Sequence, residues 1–362
     1  MYSPNDLVHQ NFKLNGKKFW EDHHDLNFLL EFVFDQISFQ DLELERFLQQ
    51  WIHHASINLS SSGTTAEPKL LQVDKKYLLH SVKMTAKFFS LKTLDKALHC
   101  LPIKYIAGKM QLIRALHLGL DLEMVQPTSK PLVNSKYYDF ATMTSQQLTL
   151  SLDHISNIQT LLIGGGLLSQ ETQKKAKKIH SNVYESFGMT ETLSHMAIRK
   201  LEDPIGVFTI LPKVSISVDN RSCLIITAKH LGINQLVTND IVEILNDRQF
   251  RYLGRIDHVI NSGGIKIFPE KIEETLSSAI DTPFFITSVK DHVLGQRVVL
   301  VMEQHEKRLS QTSIRSIMKK LPISNYQKPK EFIVFENFIR TPTDKIKRHQ
   351  TLNQKPLALL HL

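Results

Sequence analysis

Apolar positions fall in short runs along this chain, and the runs alternate with stretches of helical spacing. Residues 1–55 read as helical, anchored by Trp20, Phe28, Phe32 and Trp51. From residue 56 to about 245, the runs Leu98–Leu101, Thr160–Ile163, Cys223–Thr227 and Ile241–Leu245 predict strands, and Ser81–Phe89 and Ser169–His180 predict helices. Such alternation predicts an α/β body. Glycine punctuates it twice: Gly164-Gly165-Gly166 closes the run Leu161-Leu162-Ile163, and Ser262-Gly263-Gly264 follows Val259-Ile260. Beyond the second, Pro269 and Glu270 open a helix to about Ile280. Strands Phe285–Lys290, Arg297–Met302 and Phe332–Phe335 follow, with a helix Ser310–Lys320 between the last two. These elements form a small α+β unit of about 100 residues. The expected division is into residues 1–255 and 256–362, with the boundary beside Gly254-Arg255-Ile256-Asp257.

Composition narrows the class. The chain has 362 residues, 42% hydrophobic and 22% charged, as in a soluble globular protein, and is long enough for two domains. No apolar run reaches the roughly 18 residues of a membrane span, so stable membrane insertion is not expected. The N-terminus, Met1-Tyr2-Ser3-Pro4-Asn5-Asp6, lacks the basic and apolar regions of a signal peptide. Cys100 and Cys223 sit in apolar runs without zinc-site spacing and are expected to be buried thiols, with cytoplasm the expected compartment. The formal charge is +8, densest at Lys174-Lys175-Ala176-Lys177-Lys178 on a helix started by Ser169. Aromatic residues are not interleaved there as on a base-stacking platform, so the lysines read as a solvated face and nucleic acid is not an expected partner.

Four segments carry candidate chemistry. Ser60–Lys69 (SSSGTTAEPK) packs hydroxyls, a glycine and a lysine behind the apolar entry Ile57-Asn58-Leu59. Hydroxyls and open backbone N–H groups bond phosphate oxygens, and lysine adds a point charge. It is not a Walker loop, because Gly-Lys-Ser/Thr does not close it. Taken alone, such a stretch is more often a solvated turn. Tyr184–Thr192 (YESFGMTET) supplies aromatic faces at Tyr184 and Phe187, a hydroxyl at Thr190 and a carboxylate at Glu191 suited to Mg²⁺. Asp240 has the chemistry to accept ribose hydroxyls, and Arg255 lies fifteen residues on. Arg340–Arg348 (RTPTDKIKR) is either a solvated basic tail or a source of a cation, Lys345.

These segments, with Tyr252–Pro269, come in the order and approximate spacing of the adenylate-forming superfamily, which includes acyl-CoA synthetases, luciferases and the adenylation domains of peptide synthetases. The chain resembles that superfamily over roughly residues 56–348. The resemblance implies a large N-terminal α/β body of layered sheets and helices with a small mobile α+β C-terminal domain, hinged near Asp257. It implies an acid–thiol ligase whose small-molecule partners are a carboxylic acid, ATP and coenzyme A, with Mg²⁺, in a monomer or homodimer. By this resemblance the loop residues Ser61, Ser62, Gly63, Thr64, Thr65 and Lys69 hold the β- and γ-phosphates. Gly164, Gly165 and Gly166 line the adenine and acyl pockets, and Tyr184 matches the adenine-stacking aromatic. Thr190 matches the α-phosphate position and Glu191 the magnesium position. Asp240 and Arg255 match the ribose contacts, Gly263 and Gly264 the loop of the thiol step, and Lys345 the lysine of adenylation. The chemistry accounts for the residue types. A carboxylate must approach the α-phosphate, and like charges about 4 Å apart repel by roughly 4 kcal/mol at an effective dielectric of 20. Lys345 and a Glu191-bound Mg²⁺ offset that repulsion.

Two positions depart from the pattern: Ala66 stands where glycine is usual, and Asp344 where glycine usually precedes the lysine. Leu101–Met110 (LPIKYIAGKM) and Thr192–Ala197 (TLSHMA) resemble the compact o-succinylbenzoate–CoA ligases of menaquinone biosynthesis. That acid carries a second carboxylate, so its pocket needs cations or donors. Lys104, Lys109, Arg114 and His195 are the candidates, against readings of Lys104 as a surface lysine and Arg114 as a helix-face arginine. Two other readings stand beside this one: an adenylation domain that loads a carrier protein, and a degenerate nucleotide-binding protein.

Overall fold

The computed structural model describes residues 2–60, 70–132, 136–166, 168–179, 182–280, 282–304, 310–341 and 345–361. By its internal contacts the chain divides into two compact units. The first comprises Met1–Leu167, Lys174–Ser215 and Ile226–Leu236; the second comprises Leu168–Gln173, Ile216–Ile225 and Val237–Leu362.

The first unit is built on a mainly parallel sheet. Strands Lys13–Leu14, Asp121–Met124, Lys96–His99, Tyr138–Thr144, Ile158–Gly164 and Asn182–Met189 lie side by side and parallel. Ser194–Lys200 is added antiparallel to Asn182–Met189. Parallel strands are covered on both faces, so their sequences read as apolar runs. Leu161, Leu162 and Ile163 are accordingly buried. The helices Lys75–Phe89 and Ile106–Leu118 pack against one another. The first is capped by Asp74, whose carboxylate accepts from the Lys76 N–H at 2.8 Å. Beside them, the antiparallel pair Ser56–Ser60 and Leu70–Asp74 ends at Ser60 opposite Leu70. Residues 61–69, the expected phosphate loop with Ser61, Ser62, Gly63, Thr64, Thr65, Ala66 and Lys69, lie outside the described residues.

The second unit contains a ribbon in which Asp240 on Ile233–Asn246 pairs with Arg255 on Gln249–Arg255. It also contains a sheet ordered Ile265–Ile267, Ile260–Ser262, Gly295–Glu303, Glu331–Phe335 and Ala358–His361, with Phe284–Asp291 also paired to Gly295–Glu303. Helices Pro269–Leu276 and Gln311–Lys320 contribute Ile272, Leu276, Ile314 and Met318 to a core shared with Leu300 and Phe332. Ile314 and Met318 are four residues apart, one helical turn, and therefore face the same way. Ser310 caps that helix by accepting from the Ser313 N–H at 3.1 Å.

Several sequence expectations are met and some are amended. Cys100 and Cys223 are buried free thiols. Ser169 caps the helix Gln170–Lys178 through Thr172, with Ala176 buried and the four lysines exposed. Residues 1–55 are not wholly helical, because Lys13–Leu14 and Lys17–Lys18 form a tight hairpin about Asn15 and Gly16, both at positive φ. The C-terminal strand Ala358–His361 is an addition. The segment Arg340–Arg348 is no solvated tail: Arg340 pairs with Glu303 at 2.6 Å and Arg348 with Glu273 at 2.8 Å. Among the described residues, no helix is long and apolar enough to cross a membrane.

Candidate functional site

In the first unit Gly164–Gly166 and Thr190–Glu191 lie at the ends of two neighbouring parallel strands, the edge at which open α/β sheets bind ligands. Gly164 ends its strand, and Gly165 continues at φ +92°, a conformation glycine adopts without strain. A Cβ on Gly164 would meet Ser186 Oγ at 3.0 Å, and that hydroxyl donates to the Ile163 carbonyl at 2.8 Å. The neighbouring strand Asn182–Met189 ends in the turn Thr190–Thr192. Thr192 fixes the turn: its Oγ1 accepts from the Met189 N–H at 2.9 Å and lies 2.7 Å from the Ser194 carbonyl. Leu193 takes a left-handed φ of +62°, a local strain at this turn.

The turn presents Thr190 and Glu191. Thr190 is buried and Glu191 half-buried, and neither side chain has a hydrogen-bond partner among the described residues. Mg²⁺ is usually held by one or two carboxylates while substrate phosphates and water complete its octahedron. Glu191 fits that demand, and among the described residues no cluster of three or more metal-ligating side chains competes with it.

Tyr184 has a setting its expected role did not anticipate. Its ring packs edge-on to Phe89 at 5.1 Å and to Phe88 at 6.2 Å, and its backbone pairs with Leu162, inside the strand. Phe187 is the aromatic nearer the end of that strand, next to Gly188. Gly188 lacks the Cβ that would come within 2.2 Å of the Ser194 carbonyl oxygen.

The four expected acid-binding residues separate by environment. Lys104 is exposed. Lys109 is buried, but its ammonium donates to the Ile103 carbonyl at 2.7 Å and the Lys104 carbonyl at 3.3 Å, so it serves the turn before its helix. Arg114 is 2% exposed, and among the described residues no carboxylate pairs with it. Its Nη1 donates to Gln111 Oε1 at 2.6 Å, its guanidinium carbon lies 5.3 Å from the Phe140 ring centroid, and its Nε has no partner among the described residues. Burial pushes its pKa down to about 10. Arg199, equally buried, is by contrast paired with Glu185 at 2.8 Å. The usual way to bury an arginine is to pair it, and Arg114 departs from that rule.

His195 lies within the field of Arg114. Burial, then the Arg114 charge, pushes its pKa down to about 3, so the imidazole is neutral. Thr85 donates to the Ser81 carbonyl at 3.1 Å, which leaves its oxygen to accept from His195 Nε2–H at 3.3 Å. His195 Nδ1 then accepts from the Ser194 hydroxyl at 3.1 Å. Sequence reading passes over Thr85 and Gln111. The Gln111–Arg114 spacing of three residues on a helix was the available signal for one of them; Thr85 is linked only by the fold.

In the second unit a separate set converges. Asp240 is buried and lies 3.7 Å from Arg255, which in turn bonds Asp257 at 2.8 Å. Burial raises the Asp240 pKa against the pull of Arg255. Asp257 also accepts from Asn239 at 3.2 Å. Lys345 joins this set: burial, then the charge of nearby Arg255, holds its ammonium below the ordinary lysine pKa. Its loop is closed by the Thr341 N–H donating to the Lys345 carbonyl at 2.7 Å and the Lys345 N–H donating to Thr341 Oγ1 at 3.0 Å. Asp344, the departure beside Lys345, lies outside the described residues. Gly263 and Gly264, at φ +58° and +81°, make the two-residue turn between Ile260–Ser262 and Ile265–Ile267. Two successive positive φ values are what such a turn demands.

Residues 53–222 match the family model described as AMP-binding enzyme. A 2-succinylbenzoate–CoA ligase from Enterococcus faecalis is 24% identical over 387 residues, covering 91% of this chain and 78% of that protein. The structure resembles the crystal structure of an acyl-CoA synthetase (AMP-forming)/AMP-acid ligase II-like protein from Dyadobacter fermentans. There the identity is 31% and the TM-score 0.56, covering 86% of this chain and 93% of that one. It also resembles the o-succinylbenzoate coenzyme A synthetase of Bacillus subtilis in complex with ATP and magnesium. The TM-score is 0.72 and the identity 17%, covering 91% and 82% of the two chains, a likeness of fold.

Proposed function

The chain belongs to the AMP-binding, adenylate-forming enzyme family, and we propose that it is an ATP-dependent acid–CoA ligase acting on an acid with a second carboxylate, o-succinylbenzoate being the favoured candidate. The observation that carries the substrate reading is Arg114, a buried guanidinium with no carboxylate partner among the described residues. A buried charge is costly unless paired, and an anionic substrate group is the partner that would compensate it. The relative named 2-succinylbenzoate–CoA ligase supports the same acid.

The proposed reaction has two steps. The acid's carboxylate attacks the α-phosphorus of ATP, pyrophosphate leaves, and the acyl-adenylate forms. The CoA thiol then attacks the acyl carbon, and AMP departs with the bonding electron pair. Thr190 bonds an α-phosphate oxygen, and Glu191 would hold Mg²⁺, which would neutralise phosphate charge. Lys345 offsets the approach of two anions and stabilises the charge that grows on the α-phosphate. Asp240 accepts from the ribose hydroxyls, and Arg255 orients Asp240. Adenine stacks on an aromatic of the strand Asn182–Met189, with Phe187 better placed than Tyr184, beside Gly164–Gly166. The loop residues Ser61–Thr65 and Lys69 hold the departing phosphates. The Gly263-Gly264 turn serves the thiol step, and the hinge role of Asp257 belongs to the same proposal.

The test is pyrophosphate release with a panel of mono- and dicarboxylic acids, followed by CoA-ester formation. Release with o-succinylbenzoate and its conversion to the CoA ester is the expected result. Release without CoA-ester formation would point instead to an adenylation domain that loads a carrier protein. No release with any acid would defeat the ligase reading.

A further inference from the structure

Glu270 is the second residue of the helix Pro269–Leu276 and only 8% exposed. One carboxylate oxygen lies 2.5 Å from His258 Nδ1. The other, Oε2, has no hydrogen-bond partner among the described residues. It faces Gly254, where a Cβ would come within 2.4 Å of it, and Gly254 sits at φ +146°. Gly254 immediately precedes Arg255, and His258 immediately follows Asp257. One carboxylate oxygen thus bonds His258 and the other lies against Gly254, at the two ends of the short segment whose Arg255 pairs with Asp240 and whose charge is felt at Lys345.

We propose that Glu270 is a positioning residue for the adenylation step: it clamps residues 254–258 so that Arg255 is held in place beside Asp240 and Lys345. The inference rests on the ligase reading above, to which it adds a residue that touches neither ATP nor acid. Gly254 and His258 lie in the segment Tyr252–Pro269, and the carboxylate of Glu270, the imidazole and the missing Cβ meet only in the fold. Other charges around it are engaged: Arg348 pairs with Glu273 on the same helix, and Asp257 with Arg255. Burial raises the pKa of Glu270, but the His258 hydrogen bond and the Arg348 charge outweigh it, so Glu270 stays ionised and able to grip.

The test compares Glu270→Ala, Glu270→Gln, Gly254→Ala and the double variant Gly254→Ala/Glu270→Ala. Three quantities are measured: adenylation by pyrophosphate exchange, CoA-dependent consumption of chemically prepared acyl-adenylate, and ATP affinity by calorimetry. Glu270→Ala should lower adenylation at least tenfold while changing the thiol step less than twofold. Glu270→Gln keeps an oxygen for His258 and should stay within threefold of the parent. Gly254→Ala pushes a methyl group into Oε2, so its loss should shrink at least fivefold when Glu270 is already alanine. Additive losses, equal losses in both steps, or a Gln variant as impaired as the Ala variant would overturn the proposal. If the unsubstituted protein adenylates no acid, the ligase reading fails separately. ATP affinity then still decides the clamp: a tenfold weakening in Glu270→Ala supports it, and unchanged affinity overturns it.

Discussion

Replacing Arg114 by methionine separates a substrate receptor from a structural cation. In the structure the guanidinium is 2% exposed, donates to Gln111 at 2.6 Å and packs on Phe140, with no carboxylate among the described residues. Removing it loses a charged hydrogen bond of about 1.5–3 kcal/mol and a cation–π contact of about 1 kcal/mol. Against this, the variant no longer buries an uncompensated charge, which costs several kcal/mol per ion in proteins. Gln111 is not orphaned, because Thr142 Oγ1 still donates to its Oε1 at 3.1 Å. Methionine fills similar volume, and its sulfur keeps a favourable contact with Phe140. Folding stability should therefore change little or rise. Substrate discrimination should fall. A lost charge-assisted bond of about 1.5–3 kcal/mol corresponds to about 10- to 150-fold in kcat/KM. The assay measures kcat/KM for o-succinylbenzoate and for its distal monomethyl ester, with urea unfolding in parallel. The parent should prefer the diacid by about that factor, and Arg114→Met should accept both acids alike. Equal losses for both acids, with destabilisation of about 3 kcal/mol or more, would refute the receptor role.

Other expectations follow from the same charges. Lys345→Ala should abolish pyrophosphate release yet spare conversion of preformed acyl-adenylate to the CoA ester; equal loss of both steps would count against its assigned role. Since burial and Arg255 lower the Lys345 pKa, the adenylation rate should decline on raising pH sooner than an ordinary lysine near 10.5 would allow. Glu185→Ala would strand the buried Arg199 and should cost about 3–5 kcal/mol, and a loss below about 1 kcal/mol in urea unfolding would contradict that reading. The imidazoles of His99 and His195 are held neutral, with pKa values pushed by burial to about 4 and about 3. Below pH 6.5 the unfolded chain binds protons that the folded chain refuses, so stability present above pH 6.5 is lost as pH falls, by about 2 kcal/mol per imidazole at pH 5. Both tryptophans, Trp20 and Trp51, lie in the first unit with these histidines, so their fluorescence reports the relevant transition. His195→Gln keeps both hydrogen bonds and should remove about half of this pH dependence, leaving the His99 share; an unchanged slope would show that His195 is not a source of it.

What the sequence disclosed and what it hid divide along physical lines. Periodicity and punctuation act locally, so the strand runs at Thr160–Ile163 and Phe332–Phe335 and the Ser169 and Ser310 caps were legible. The hairpin at Lys13–Lys18 was equally local and was missed although Asn15-Gly16 is a strong two-residue turn signal, because the surrounding aromatic anchors pointed to helix. Motif order picked out Thr190, Glu191, Asp240, Arg255 and Lys345 as residues of interest. It gave no reason to rank Arg114 above Lys104 and Lys109, because three basic side chains on a short segment look alike until their partners are known. The fold separates them: Lys109 is satisfied by two carbonyls, Lys104 is exposed, and Arg114 is buried without an anion among the described residues. Compensation of charge is a tertiary property, fixed by which strand or helix arrives opposite. The same holds for Glu270, whose neighbours His258 and Gly254 lie twelve and sixteen residues away. In both cases the informative quantity is a deficit, an arginine without a carboxylate or a carboxylate oxygen without a donor. A deficit tolerated in a folded protein is where a ligand or a positioning contact has the most free energy to contribute.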